Sequence, residues 1–155
     1  MTSRMTEVRD IPGYEIDTDK SRLDLDLIHK FLASAYWSEG IPKEILLKSI
    51  QDSDCFGIYK SGEQVGFARV ISDHATFAYL ADVFVLPQER GRGLGKWLMA
   101  TIMGSEKYQN LRRWLLATKD AHELYRQFGF TEAPPDRIME IRDGEVYLRL
   151  AAQSS

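Results

Sequence analysis

Residues 78–103 read AYLADVFVLPQERGRGLGKWLMATIM, in the order strand, glycine turn, helix. Leu80 to Leu86 is apolar, branched and aromatic except for Asp82, which suits a buried strand. Pro87 has no amide proton to give to a ladder and ends the strand. Leu94, Trp97, Leu98 and Ile102 then recur at helical spacing and make one apolar face. Between strand and helix, Gly91, Gly93 and Gly95 stand at every second position, where backbone can approach a ligand closely. The first amides of the helix lack internal partners and sit at the positive end of its dipole, an arrangement that binds phosphate. Arg90, Arg92 and Lys96 add positive charge beside them.

Two familiar phosphate loops are excluded. A nucleotide P-loop needs Ser or Thr after its Gly-Lys pair, and Trp97 follows Gly95-Lys96. A dinucleotide fingerprint fails in both registers, at Lys96 and at Leu98. What the stretch fills completely is (Arg/Gln)-x-x-Gly-x-(Gly/Ala) after a strand ending Val-x-Pro: Arg90-Gly91-Arg92-Gly93-Leu94-Gly95 after Val85-Leu86-Pro87. This resembles the acetyl-CoA loop of the GNAT N-acetyltransferase superfamily. The resemblance implies that loop residues Arg90 to Lys96 hold the CoA pyrophosphate. It also implies that the preceding strand, through Val83, Phe84 and Val85, pairs its backbone with the pantetheine arm.

A second signature lies downstream. Ala121-His122-Glu123-Leu124-Tyr125-Arg126-Gln127-Phe128-Gly129-Phe130 is similar to the GNAT segment A-x-x-L-Y-x-x-x-G-F at all five defined positions. The resemblance implies that Tyr125 faces the cofactor sulfur as hydrogen-bond donor to the leaving thiolate; as a residue in its own right it also suits a core beside Leu124 and Phe128. Thr118 stands where many members carry the Asn that contacts the pantetheine arm, and its hydroxyl can replace one amide hydrogen bond. Positions where some members place a base carry Tyr79 and Ala81 here, so Asp82 is the nearest carboxylate. A carboxylate inside an apolar strand is costly unless it is paired or faces a wet cleft; Asp82 is therefore a candidate base or an ion-paired structural group. His74 reads as a surface loop residue and His122 as a helix surface residue.

The 155 residues suit one domain, residues 1–155, with its own core. Hydrophobic residues are 44% and charged residues 28%, and the net charge of −3 argues against a nucleic-acid surface built on bulk charge. One cysteine, Cys55, excludes an internal disulfide and fits a reducing compartment. Residues 1–10 lack the apolar run of a secretory leader, and no uninterrupted apolar stretch is long enough to span a membrane.

Along the chain, Tyr14 to Asp17 reads as a short strand. Asp24 caps a helix through Leu27, Ile28, Phe31 and Leu32, and Pro42 opens a second helix, Lys43 to Gln51. Cys55 to Lys60 and Gln64 to Ser72 form a hairpin about Ser61-Gly62-Glu63. After the central stretch come a strand within Leu111 to Thr118 and a short helix closed by Gly129. Two closing strands are expected, Ile138 to Ile141 and Glu145 to Leu150, about an Arg142-Asp143-Gly144 turn. The order implies a mixed sheet with helices on both faces. The resemblance adds the GNAT fold, with a cofactor cleft between two splayed strands.

The resemblance places the acceptor site at the break between the first two helices, where Tyr36, Trp37, Glu39 and Ile41 concentrate; Tyr79 faces it from the central strand. Aromatic rings beside a carboxylate could hold a cationic amine. The expected activity is acetyl transfer from acetyl-CoA to a small-molecule or peptide amine, with no metal, nucleic acid or membrane, in a cytoplasmic monomer or homodimer. The alternatives are transfer of another acyl group or to another acceptor on this fold, and a noncatalytic CoA-binding module.

Overall fold

A computed structural model describes residues 10–153, so residues 1–9, most of the stretch read above for a leader, lie outside it. Strands β1 (Tyr14–Asp17), β2 (Asp54–Lys60), β3 (Glu63–Ser72), β4 (Phe77–Val85) and β5 (Arg113–Leu115) form one sheet in sequence order. The first four are antiparallel and β5 runs parallel to β4. Helices α1 (Leu25–Ser34) and α2 (Lys43–Gln51) cover one face. Helices α3 (Leu94–Met103) and α4 (His122–Arg126) cover the other, and α5 (Val146–Gln153) closes the chain.

Local chemistry explains the elements. The Asp24 carboxylate accepts from the Leu27 amide and starts α1, whose Ile28 and Leu32 are fully buried with Phe67 and Phe84. Each such side chain contributes roughly 1.5–3 kcal/mol. Phe31 stacks on Phe84 at 4.0 Å between centroids and fixes α1 over the C-terminal half of β4. On the opposite face, Leu94, Leu98, Met99 and Ile102 of α3 pack against Ala78, Leu80 and Val70.

One irregularity decides where the side chains of β4 point. Phe67 pairs with Phe84 and Arg69 with Ala81, so Asp82 and Val83 together oppose the single residue Ala68. Asp82 takes a left-handed φ of 56° in this bulge. The extra residue reverses the alternation. Leu80 therefore lies in the α3-side core, whereas Phe84, also at an even position, lies in the α1-side core.

Two sequence expectations are corrected at the C-terminus. Neither Ile138 to Ile141 nor Glu145 to Leu150 forms a strand; the first is irregular and the second lies largely in α5. The Asp143-Gly144 pair does not make a hairpin. The Asp143 carboxylate accepts from the Glu145 amide and pairs with Arg149, while the Val146 amide donates to the Asp143 carbonyl. Those bonds start a helix in good helix formers, Leu148 to Gln153. Tyr147 packs against the α1-side core.

Candidate active site

β4 and β5 pair only over Phe77–Arg113, Ala78–Trp114 and Tyr79–Leu115. Beyond Tyr79 the two strands part. β3 follows β4 as far as Gly66–Val85, so the edge of β4 from Leu80 to Val85 that faces β5 has no ladder partner there. Val83 and Val85 are half-buried against the α3 core and Phe84 is buried, so the strand presents backbone to the wedge.

The glycine loop stands at the wide end of this wedge. Gly91 and Gly93 have φ of 81° and 85°, where any side chain is strained. Gly93 is the N-cap of α3 and offers no side-chain cap to the first amides of the helix. Leu94 is buried and Gly95 lies against Leu124, so the helix start is seated on the core. The basic residues Arg90, Arg92 and Lys96 are exposed. The Arg90 Nε donates to the Val85 carbonyl at 3.1 Å and ties the loop to the strand end. Left-handed glycines, uncapped helix amides and three cations fit a pyrophosphate, and the bare edge of β4 fits an amide-bearing arm.

Glu89 underlies the loop, and no motif or spacing singles it out in the sequence. It is 7% exposed, and its carboxylate accepts from the Tyr14 hydroxyl at 2.5 Å, with Arg92 Nε at 3.4 Å and Lys60 Nζ at 3.6 Å. The Tyr14 hydrogen bond, together with the two cations, holds the Glu89 carboxyl below its ordinary range. β1 thus fixes the loop from below through a contact spanning 75 residues of sequence.

Thr118 and Tyr125 stand past the end of β5. Thr118 Oγ1 accepts from the Ala121 amide at 3.0 Å, which helps start α4 and leaves the hydroxyl proton for another acceptor. Tyr125 is 8% exposed, edge-on to Phe130, and its hydroxyl makes no hydrogen bond among the described residues. Burial, with the nearby Tyr36 and Asp120 charges adding, pushes its phenol up to about 12.

Asp82 leaves its bulge toward the α1 side. Its Oδ1 accepts from Trp37 Nε1 at 2.9 Å and its Oδ2 from Arg69 Nε at 2.8 Å; Arg69 in turn donates to Ser53 Oγ at 3.0 Å. Both oxygens are engaged and the side chain is 9% exposed. Trp37 and Tyr36 meet edge to face at 5.1 Å and are partly exposed. The Tyr36 hydroxyl accepts from the Lys119 amide at 3.0 Å, with Lys119 Nζ over the ring at 5.2 Å. The α1–α2 connection is thereby tied to β4 through Asp82 and to the segment after β5 through Lys119. Glu39 lies exposed on the same connection, and Tyr79 is half-buried on β4. Arg69 and Lys119 were not singled out from sequence; an arginine within the apolar run Gly66 to Ile71 was the available signal for the first.

The chain is similar to known proteins. The profile of the acetyltransferase (GNAT) domain matches residues 51–132, more than half of the chain. The chain belongs to the GNAT family. A crystal structure of a candidate GNAT acetyltransferase from Xanthomonas campestris pv. campestris superposes with a TM-score of 0.86 at 48% identity, covering 89% of this chain and 99% of that one. A candidate acetyltransferase from Clostridium acetobutylicum solved with acetyl-CoA superposes with a TM-score of 0.60 over 83% of this chain and 94% of its own; at 15% identity it shares the fold. A candidate acetyltransferase of Gibberella zeae is 33% identical over 106 residues, 56% of this chain. The chain spans 60% of that curated relative's length. Among the described residues no helix is long and apolar enough to cross a membrane, and no group of acids, histidines and cysteines could hold a metal ion.

Proposed function

We propose that this GNAT domain transfers the acetyl group of acetyl-CoA to a primary amine by direct attack. The observation that carries the proposal is the bare edge of β4 leading into the left-handed Gly91–Gly93 turn, with Thr118 and Tyr125, whose hydroxyl has no partner among the described residues, past the end of β5. In acetyl-CoA the acyl carbon is activated as a thioester; nitrogen attack forms the C–N bond, the C–S bond breaks, the sulfur takes a proton as it leaves, and the nitrogen gives one up to water, which restores the donor.

The residues divide the work. Amides of the loop and of the start of α3 bind the pyrophosphate, with Arg90, Arg92 and Lys96 close by. A backbone amide of β4 near Phe84–Val85, on the edge away from β3, donates to the tetrahedral oxyanion. Tyr125, its phenol held protonated far above neutral pH, donates a hydrogen bond to the departing sulfur and completes proton transfer late. Thr118 offers its remaining proton to the pantetheine arm. Tyr36, Trp37, Glu39 and Tyr79 line the acceptor side, where aromatic faces attract a cationic amine.

Asp82, with both oxygens engaged by Trp37 and Arg69, acts as an anchor for the acceptor wall, and the amine attacks from its neutral population. A covalent acyl-cysteine route is disfavoured: Cys55 is 2% exposed, and burial pushes its thiol up to about 11. The test is free-thiol release from acetyl-CoA across a panel of small amines, polyamines, amino acids and peptides. Amine-dependent release that grows with pH toward the acceptor's own pKa is expected. Acetyl-CoA binding without release for any acceptor would leave a noncatalytic CoA-binding module.

A further inference from the structure

Glu89 is a buried carboxylate at the start of a loop that fits an anion. A fixed negative charge there repels a pyrophosphate unless it acts through cations. Its contacts supply them. Oε1 lies 3.4 Å from Arg92 Nε, Oε2 lies 3.6 Å from Lys60 Nζ, and the Tyr14 hydroxyl fixes Oε1 from β1. One acid against two bases leaves the cluster net positive. The backbone of Glu89 is fixed as well: its amide donates to the Leu86 carbonyl at 2.9 Å in the turn Pro87–Glu89.

Glu89 takes only the Nε side of the Arg92 guanidinium. The two terminal nitrogens have no hydrogen-bond or ion-pair partner among the described residues, and the side chain is 51% exposed. Arg92 stands between the left-handed Gly91 and Gly93, one residue before the uncapped start of α3. A guanidinium held at Nε keeps its terminal fork for two parallel hydrogen bonds to one phosphate.

We propose, resting on the acetyl-CoA reading of the loop, that Glu89 is a positioning residue for the donor's pyrophosphate: it orders the Arg92 side chain, and Arg92 makes the phosphate contact. Ordering a long side chain before the ligand arrives removes that entropic cost from association. β1 acts on the site by the same route, because the Tyr14 hydroxyl fixes the carboxylate that fixes Arg92. Donor selection follows. A thioester that carries a pyrophosphate gains affinity from Glu89, and one without phosphate does not.

Calorimetry on the wild type, Glu89→Gln, Arg92→Gln and the double variant tests this. The ligands are CoA and dephospho-CoA, which keeps the pyrophosphate and lacks the ribose phosphate. Glu89→Gln keeps an oxygen to accept from Tyr14 and loses only the charge, and the Arg92 side chain is exposed, so both variants are expected to keep the wild-type melting behaviour. Glu89→Gln should weaken both ligands roughly two- to tenfold, the usual effect of leaving one long side chain to be ordered on binding. Arg92→Gln should weaken them at least as much. In the Arg92→Gln background, Glu89→Gln should change affinity no further. In turnover the Glu89→Gln loss should fall on the KM for acetyl-CoA, with kcat unchanged. S-acetylpantetheine, which carries no phosphate, should be used by Glu89→Gln as well as by the wild type.

Tighter or undiminished CoA binding by Glu89→Gln would overturn the proposal. So would wild-type affinity in Arg92→Gln, equal losses from Glu89→Gln in the two backgrounds, or a loss with CoA that dephospho-CoA does not share. A wild type that binds no CoA would remove the acetyl-CoA reading and this role with it. Wild-type binding with unaltered affinity in both variants would remove the role of Glu89 and Arg92 alone.

Discussion

At the scale of residues, the roles proposed for Tyr125 and Asp82 predict opposite responses to substitution. Tyr125→Phe keeps the ring against Phe130 and removes only the hydroxyl, which makes no hydrogen bond among the described residues. Turnover should fall about 10²–10⁴-fold, the usual contribution of a positioned proton donor. Acetyl-CoA affinity and melting temperature should hardly change, because the hydrogen bond strengthens mainly in the transition state. Unchanged turnover with chemistry rate-limiting would return Tyr125 to a packing role. Asp82→Asn is expected to behave differently. It removes the carboxylate that Arg69 and Trp37 share, at a cost of about 1.5–3 kcal/mol read from denaturant unfolding. Its pH–rate profile should keep the wild-type shape. Loss of a requirement for one ionised group in that profile would identify Asp82 as the base.

The motifs single out Arg90 to Gly95 and Tyr125 in the sequence, and the structure seats the first in a left-handed turn before α3 and the second edge-on to Phe130. Asp82 stood out as a carboxylate in an apolar strand, but its partners did not. Trp37 lies 45 residues away and Arg69 meets it only through the bulge, and a pairing register is a nonlocal property. Glu89 was hidden for the same reason, since its partner Tyr14 is on β1.

At the scale of elements, the strand–loop–helix unit formed where the sequence put it. Its strand begins three residues earlier than expected, at Phe77, because the N-terminal end is where β5 pairs. Pairing also shortens β5 to Arg113–Leu115: the apolar run continues to Ala117, but past Leu115 the strands separate. The C-terminal misreading has a plain cause. Val146, Leu148 and Leu150 alternate like a strand, yet a short apolar run does not discriminate period 2 from a helix face, and Asp143 settled it by bonding forward to the Glu145 amide. The loop itself carries a prediction. Gly93 sits at φ 85°, so Gly93→Val forces a branched residue into a conformation that costs roughly 1–2 kcal/mol and places methyls beside the uncapped α3 amides. Calorimetry on the folded variant should show acetyl-CoA affinity reduced more than about tenfold. Undiminished affinity would mean that the turn only shapes the chain.

At the scale of the molecule, the end of the sheet far from the glycine loop is held by an ionic cluster. Asp54 accepts from His74 Nε2 at 2.6 Å and from the Tyr108 hydroxyl at 2.7 Å, with Lys107 Nζ at 3.8 Å. Burial raises the Asp54 carboxyl, but the His74 and Tyr108 hydrogen bonds and the Lys107 charge outweigh it and hold it below its ordinary value. A carboxyl depressed in the folded state binds protons more readily when unfolded. Its stabilisation is therefore present above the ordinary aspartate value, about 3.9, and is lost as pH falls through the folded value. Wild-type melting temperature should drop across that acid range, and Asp54→Asn should be less stable at neutral pH with a shallower acid decline. An equal acid decline in the variant would assign the loss to other carboxylates.

On the proposed mechanism the wedge between β4 and β5 delivers an acetyl group directly to an amine. Mass spectrometry of protein and acceptor after incubation with acetyl-labelled acetyl-CoA tests it most directly. The label should appear on the acceptor nitrogen, in amounts equal to the thiol released, with none on the protein at any time. Label retained on Cys55 or another side chain, or recovered only as free acetate whatever amine is supplied, would contradict it.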